Sequence, residues 1–180
     1  MKKIYFVVFL SMLVLLSCAP KEKTEKVEIK VPNLSIYEHQ QTKDIVQLVY
    51  DAVNEIELRS VDAFAQFRVE GSKWYKGDTY VFVWGMDGMR YVYPRDPSGE
   101  GKNMLDLKDE NGKPIGQEFV DAANQDEGWV LYMWSKPGAD VQSQKTTFIK
   151  KAIDHTGNEY LVGCGLYDMP TEKVLEVKAE

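Results

Sequence analysis

Residues 74–94 read WYKGDTYVFVWGMDGMRYVYP. The chain holds 10 Tyr, 7 Phe and 4 Trp in 180 residues, and seven of these aromatics fall in this one stretch. Tyr80, Phe82 and Trp84 alternate with Val81 and Val83, the period of a β-strand. Met86-Asp87-Gly88 is a turn, because glycine supplies the positive φ of a tight reversal. Tyr91 and Tyr93 alternate again, and Pro94 ends the second strand. A sheet face this rich in Tyr and Trp offers rings to pack and OH and NH groups to hydrogen-bond, which suits a small-molecule pocket.

Outward from this hairpin the chain reads as one α+β domain. Ser35 and Glu38 have the spacing of a capping box, predicting a helix over 36–58. Ile45, Leu48, Val49, Ala52 and Ile56 form its apolar stripe, expected to pack on a sheet. Ser60 starts a short second helix through Phe64 and Phe67. Strands are expected at 79–84, 89–93, 128–135, 144–153 and 159–166, separated by Gly128, Pro137-Gly138 and Thr156-Gly157-Asn158. Pro114 opens a helix that carries Ile115, Phe119 and Ala122 on one face. The prediction is a long N-terminal helix on a five-stranded antiparallel sheet.

The N-terminus gives an address. Lys2 and Lys3 precede an apolar run from Ile4 to Leu16, the pattern of a secretory leader and too short for a span of about 20 residues. Leu15-Leu16-Ser17-Cys18 resembles the bacterial lipobox, in which the cysteine is lipidated and becomes the first residue. Ala19 after it leans towards the outer membrane of a Gram-negative cell. Residues 1–17 are thus expected to be the leader, and 18–33, with the KEKTEK run, a solvated tether. Residues 34–170 form the domain and 171–180 a tail. Taking 17 residues off 180 leaves 163, and losing Lys2 and Lys3 takes the net charge from −6 to −8. So acidic a chain, with no basic stripe, excludes nucleic acid as a partner. With Cys18 lipidated, Cys164 stands alone and has no internal disulfide partner. Its setting between two glycines reads as a buried structural thiol.

No catalytic motif appears, and the chain is read as non-catalytic, without cofactor or metal. Asp109, Asn111, Gly112 and Glu118 fall at EF-hand positions, but Leu107 stands where the first ligand belongs, so this is a turn into a helix. Asp87 reads as a turn residue, and His39 and His155 as surface residues. Arg68 fits either an anion partner or a solvated helix end.

Four motifs in order carry a family resemblance across about 45–169. WYxGDxYVFVxxMDGxxYVYP resembles the signature of the single Cache domain, type 2, a family of extracytoplasmic sensors with a PAS-like fold. GKNMLDLKDENGKPIGQEFVDAA at 101–123, GWVLYMWSKPG at 128–138 and VGCGLY at 162–167 are similar to the family's following motifs. Where the family often has His before the Pro this chain has Tyr93, and where it often has an aromatic hydroxyl this chain has Phe148. The resemblance implies a pocket for a small ligand, a short carboxylate or amino acid, on the sheet. Trp74, Tyr80, Tyr93, Tyr132 and Trp134 are the candidate ring wall. Lys150, on the same strand face as Phe148, is the candidate anion partner. The expectation is a lipid-anchored sensor or binding protein whose output lies on a separate signalling or transport protein. The alternative is an interaction module with the same fold and no small ligand.

Overall fold

The computed structural model describes residues 28–177; the expected leader and Cys18 lie outside them. Helix α1 spans Gln40–Arg59 and α2 spans Phe64–Phe67. Then come β1 (Tyr75–Lys76), β2 (Thr79–Tyr80), β3 (Phe82–Gly85) and β4 (Arg90–Val92). Helix α3 (Ile115–Asn124) precedes β5 (Glu127–Ser135), β6 (Gln142–Ile153) and β7 (Glu159–Tyr167), and α4 (Thr171–Val174) follows. Strands β1 and β2 form a small ribbon, and the main sheet has five strands in the order β4-β3-β7-β6-β5, all antiparallel. This is the expected α+β architecture.

The sheet separates two cores. On one face α1 buries Ile45, Val46, Val49, Ala52, Val53 and Ile56 against Val81, Val83, Phe148, Val162 and Cys164. On the other, α3 sets Ile115, Phe119, Val120 and Ala123 against Tyr80, Phe82, Trp84, Val130, Tyr132 and Ile149. Strand alternation does the sorting, since successive side chains leave a strand on opposite faces. The long connection from 94 to 114 closes over the second core with Met104, Leu105 and Leu107.

The long helix starts four residues later than the capping pattern predicts. Leu34–Ile36 is a single 3-10 turn capped by Asn33, whose side chain accepts from the Ser35 amide at 3.2 Å. Tyr37 is then extended and bridges to Val177, while the Glu38 amide bonds the Glu176 carbonyl at 3.1 Å. A tertiary strand contact therefore takes the backbone groups that a first helical turn would have used. The buried stripe also turns away from Leu48, which is only half-buried, towards Val46 and Val53.

The packed unit exceeds 34–170 at both ends. The Lys30 backbone exchanges two 2.8 Å hydrogen bonds with the Asn54 side chain, and its amine meets Glu57 at 2.6 Å. Val174, beyond the expected domain limit, is fully buried.

Candidate functional site

The second core contains a gap. Its walls are Tyr80, Phe82, Trp84, Tyr93, Phe119, Tyr132 and Trp134, with Ile115 and Leu107 above and Arg90 at one end. The open volume is about 20 Å³, little more than the 10–15 Å³ or so that holds one water. Two glycines of β7 clear the floor. A Cβ on Gly163 would lie 2.2 Å from the Phe82 ring, and one on Gly165 would lie 2.8 Å from Lys145 Cε. The VGCGLY motif thus lets large side chains lie flat across the strands.

Of the expected ring wall, Tyr80, Tyr93, Tyr132 and Trp134 come together here. Trp134 Nε1 donates to the Tyr93 hydroxyl at 3.2 Å, and the Tyr132 hydroxyl pairs with Thr147 Oγ1 at 3.0 Å. Burial pushes the hydroxyls of Tyr80, Tyr93 and Tyr132 above the ordinary tyrosine range, so all three stay protonated.

Trp74 and Lys150 do not belong to this site. Trp74 lies in the α1 core, edge-on to Phe67 with ring centroids 4.9 Å apart. Lys150 also emerges on the α1 face. Its amine sits 2.9 Å from Asp126, 3.0 Å from Glu127 and 4.7 Å from the centre of the Tyr50 ring. The reason is register. Phe148 and Lys150 do share a face, but the β5–β6 hairpin pairs Trp129 with Phe148 and Tyr132 with Lys145. Tyr132 therefore shares its face with odd-numbered residues of β6, and Lys150 points to the other side.

The lysine on the site's face is Lys145, 1 % exposed. Its amine donates to the Tyr80 hydroxyl at 2.9 Å and lies 4.0 Å and 4.6 Å from the ring centres of Tyr80 and Tyr167. No carboxylate is within ion-pair distance of it among the described residues. Burial pulls its pKa down to about 8.

Arg90 is the other missed residue. It is 6 % exposed, and its Nε is buried without a partner. Among the described residues its guanidinium makes no ion pair or hydrogen bond. It lies over the rings of Tyr93 (4.4 Å) and Trp84 (5.6 Å), while burial lowers its pKa from the usual arginine range. Trp84 Nε1, beside it, is likewise buried and unpaired. Both donors are therefore available to an acceptor that enters the cavity.

A bulge aims Arg90. Val83 pairs with Val92 but Trp84 pairs with Arg90, so Tyr91 is an extra residue on β4. Strict alternation would have set Tyr91 beside Tyr93 and Arg90 on the α1 face. Instead Tyr91 packs on Phe64 and Tyr160 of the α1 side, and Arg90 and Tyr93 both face the cavity.

Other polar candidates have structural employment. Asp109 accepts from the amides of Asn111 (2.9 Å), Lys113 (2.9 Å) and Met133 (3.1 Å), which pins the loop to β5. Arg68 is clamped to Glu100, with Nη2 at 2.7 Å. Asp87 accepts from the Met89 amide at 3.0 Å, as a turn residue does. Cys164 is fully buried, its thiol pushed up to about 11 by desolvation. His155 is exposed, and His39 pairs with Glu176 at 2.8 Å. Among the described residues no helix is long and apolar enough to cross a membrane.

Comparison with known proteins places this arrangement. The sensor histidine kinase MctS of Rhizobium johnstonii is 29 % identical over 146 residues, covering 81 % of this chain and 29 % of the kinase. The methyl-accepting chemotaxis protein McpP of Pseudomonas putida is 29 % identical over 94 residues, 52 % of this chain and 17 % of the receptor. The chain thus spans less than a third of either curated relative. Among solved structures, a periplasmic sensor domain of a chemotaxis protein superposes with a TM-score of 0.55 at 25 % identity, over 72 % of this chain and 91 % of that one. A Cache chemosensory domain described for carboxylic acid recognition has a TM-score of 0.57 at 20 % identity, covering 72 % and 94 % of the two chains, and shares the fold. The family model for the Cache domain, dCache_2, matches residues 33–167. With three quarters of its length under that match, this chain belongs to the Cache domain family.

Proposed function

We infer that this protein is an extracytoplasmic, non-catalytic sensor or binding protein for a short organic carboxylate, held in the cavity between β3, β4, β5 and α3. The observation that carries the reading is Arg90, 6 % exposed, which lines an aromatic cavity with its Nε buried and unpaired and with no counter-ion among the described residues. A carboxylate fits the guanidinium fork with two parallel hydrogen bonds, and Trp84 Nε1 offers a third donor. Phe82, Phe119, Ile115 and Tyr132 suit a short carbon chain. No Asp or Glu among the described residues lines the cavity, so the ammonium of an amino acid would find no carboxylate there. This favours a simple acid over an amino acid. Similarity to a sensor kinase and a chemotaxis receptor supports the sensing role, and the shared fold of a Cache domain described for carboxylic acid recognition supports the ligand class. The lipid anchor at Cys18, and output through a separate signalling or transport protein, belong to this proposal.

The tightness of the cavity, about 20 Å³, is the one observation that favours the interaction module. Thermal melts of the full chain with short monocarboxylates, amino acids and amines separate the two readings. Acetate or propionate at a hundredfold excess over its dissociation constant should add about 2.7 kcal/mol of stability. Arg90→Ala should weaken that binding by well over tenfold, the cost of removing one partner of a buried charge pair being about 2–5 kcal/mol. A melt unmoved by every acid would leave the interaction module as the reading.

A further inference from the structure

Lys145 is a buried cation that has no counter-charge among the described residues, on the face where the cavity lies. The hydrogen-bond polarity around it is set by chemistry. An ammonium only donates, so the Tyr80 oxygen accepts from Lys145. The Tyr167 hydroxyl donates to the Ser135 carbonyl at 3.0 Å, so its proton is spoken for. The Tyr80 proton is left with the Tyr167 oxygen, at a long 3.3 Å, or with an acceptor in the cavity that Tyr80 lines. Tyr80 stands edge-on to Tyr93, centroids 5.9 Å apart, and Arg90 covers that same Tyr93.

Resting on the carboxylate reading above, we propose that Lys145 is a positioning residue of the site: through Tyr80 it presents a polarised hydroxyl to the bound acid. The acid in turn supplies Lys145's missing counter-charge, so binding is coupled to protonation of this lysine.

The groups around Lys145 leave it as the one that titrates near neutrality. Tyr80 and Tyr167 touch it, Tyr132 pairs with it across β5, and Tyr93 lies beyond Tyr80; burial raises all four hydroxyls. The Cys164 thiol sits at about 11. Arg95 bonds the Ser135 and Lys136 carbonyls, and Asp78 is half exposed, 4.0 Å from Lys136. With Lys145 at about 8, the free protein is mostly deprotonated there at pH 8.5, and a carboxylate entering the cavity draws a proton in.

Calorimetry of the full chain with propionate tests this. Run at pH 8.5 in buffers of different ionisation enthalpy, it should show uptake of roughly three quarters of a proton per propionate bound. The affinity should fall about tenfold from pH 7 to pH 9, although propionate stays ionised throughout. Lys145→Met should abolish the uptake and flatten the pH profile, yet melt no lower than the parent without acid, since it removes an unpaired buried charge. A lysine that only held the fold would lower that melting point and leave proton uptake untouched. Propionate binding with no proton uptake in the unaltered chain overturns the role of Lys145 while leaving the carboxylate reading intact. Failure of propionate, acetate and every other acid of the thermal melts to bind overturns both.

Discussion

At the scale of single residues, the polar groups divide by whether the fold satisfies them. Asp154 is 4 % exposed and satisfied many times over. It accepts from Ser60 Oγ, from the Thr156 amide (2.9 Å) and hydroxyl (2.6 Å), and from the Asn158 amide (3.0 Å). It both shapes the β6–β7 turn and ties it to the end of α1, where Ser60 takes a positive φ of 52°. Burial alone would raise its carboxyl, but the bonds from Ser60, Thr156 and Asn158 outweigh that and hold it well below the carboxylate range. A pKa depressed by folding gives stability that is complete above the unfolded value, about 3.9, and lost as the pH falls through the folded one. Asp154→Ala should therefore cost on the order of 3 kcal/mol at neutral pH. In urea denaturation the gap between variant and parent should narrow below about pH 4. Arg90 and Lys145 are the reverse case, charged groups that the fold buries and leaves open.

Among the elements, α1 carries the load of one core. Ile56 is fully buried there, whereas Leu48 is half-buried and lines a surface groove with Gln41 and Lys73. Ile56→Ala should cost about 2–5 kcal/mol in chemical denaturation, and Leu48→Ala less than half as much. Equal losses would mean that the helix sits rotated from the position described. Strand β4 shows how little sequence is needed to move a functional group. One extra residue, Tyr91, puts the neighbours Tyr91 and Val92 on the same face and sends Arg90 to the other. Period-two reading cannot detect this, because Tyr91 and Tyr93 look equally suited to either side.

For the molecule as a whole the net charge is −6, yet among the described residues the cavity lining holds Arg90 and no Asp or Glu, with Lys145 buried behind Tyr80. The start and end of the packed unit are laced together: the Glu38 amide bonds the Glu176 carbonyl and the Thr42 hydroxyl donates to the Val174 carbonyl at 3.2 Å. The proposed anchor lies upstream of that junction. Cys18→Ala, expressed in a bacterial host, should lose palmitate labelling and membrane retention; labelling that persists would refute the anchor.

Local chemistry determined much of this protein before any contact was known. Apolar periods of two and of 3.6 place five strands and two helices close to where they fold, since each amphipathic element must bury one face. The aromatic density of residues 74–94, with Tyr132 and Trp134, pointed to the cavity wall. Which cations face that wall was decided only in three dimensions. The pairing of Tyr132 with Lys145 depends on how β5 and β6 close their hairpin, and a shift of one residue exchanges the faces. Arg90 depends on a bulge, and Trp74 on packing against Phe67. Face and register are set by contacts between residues distant in the chain, and a pattern read along one strand does not contain them.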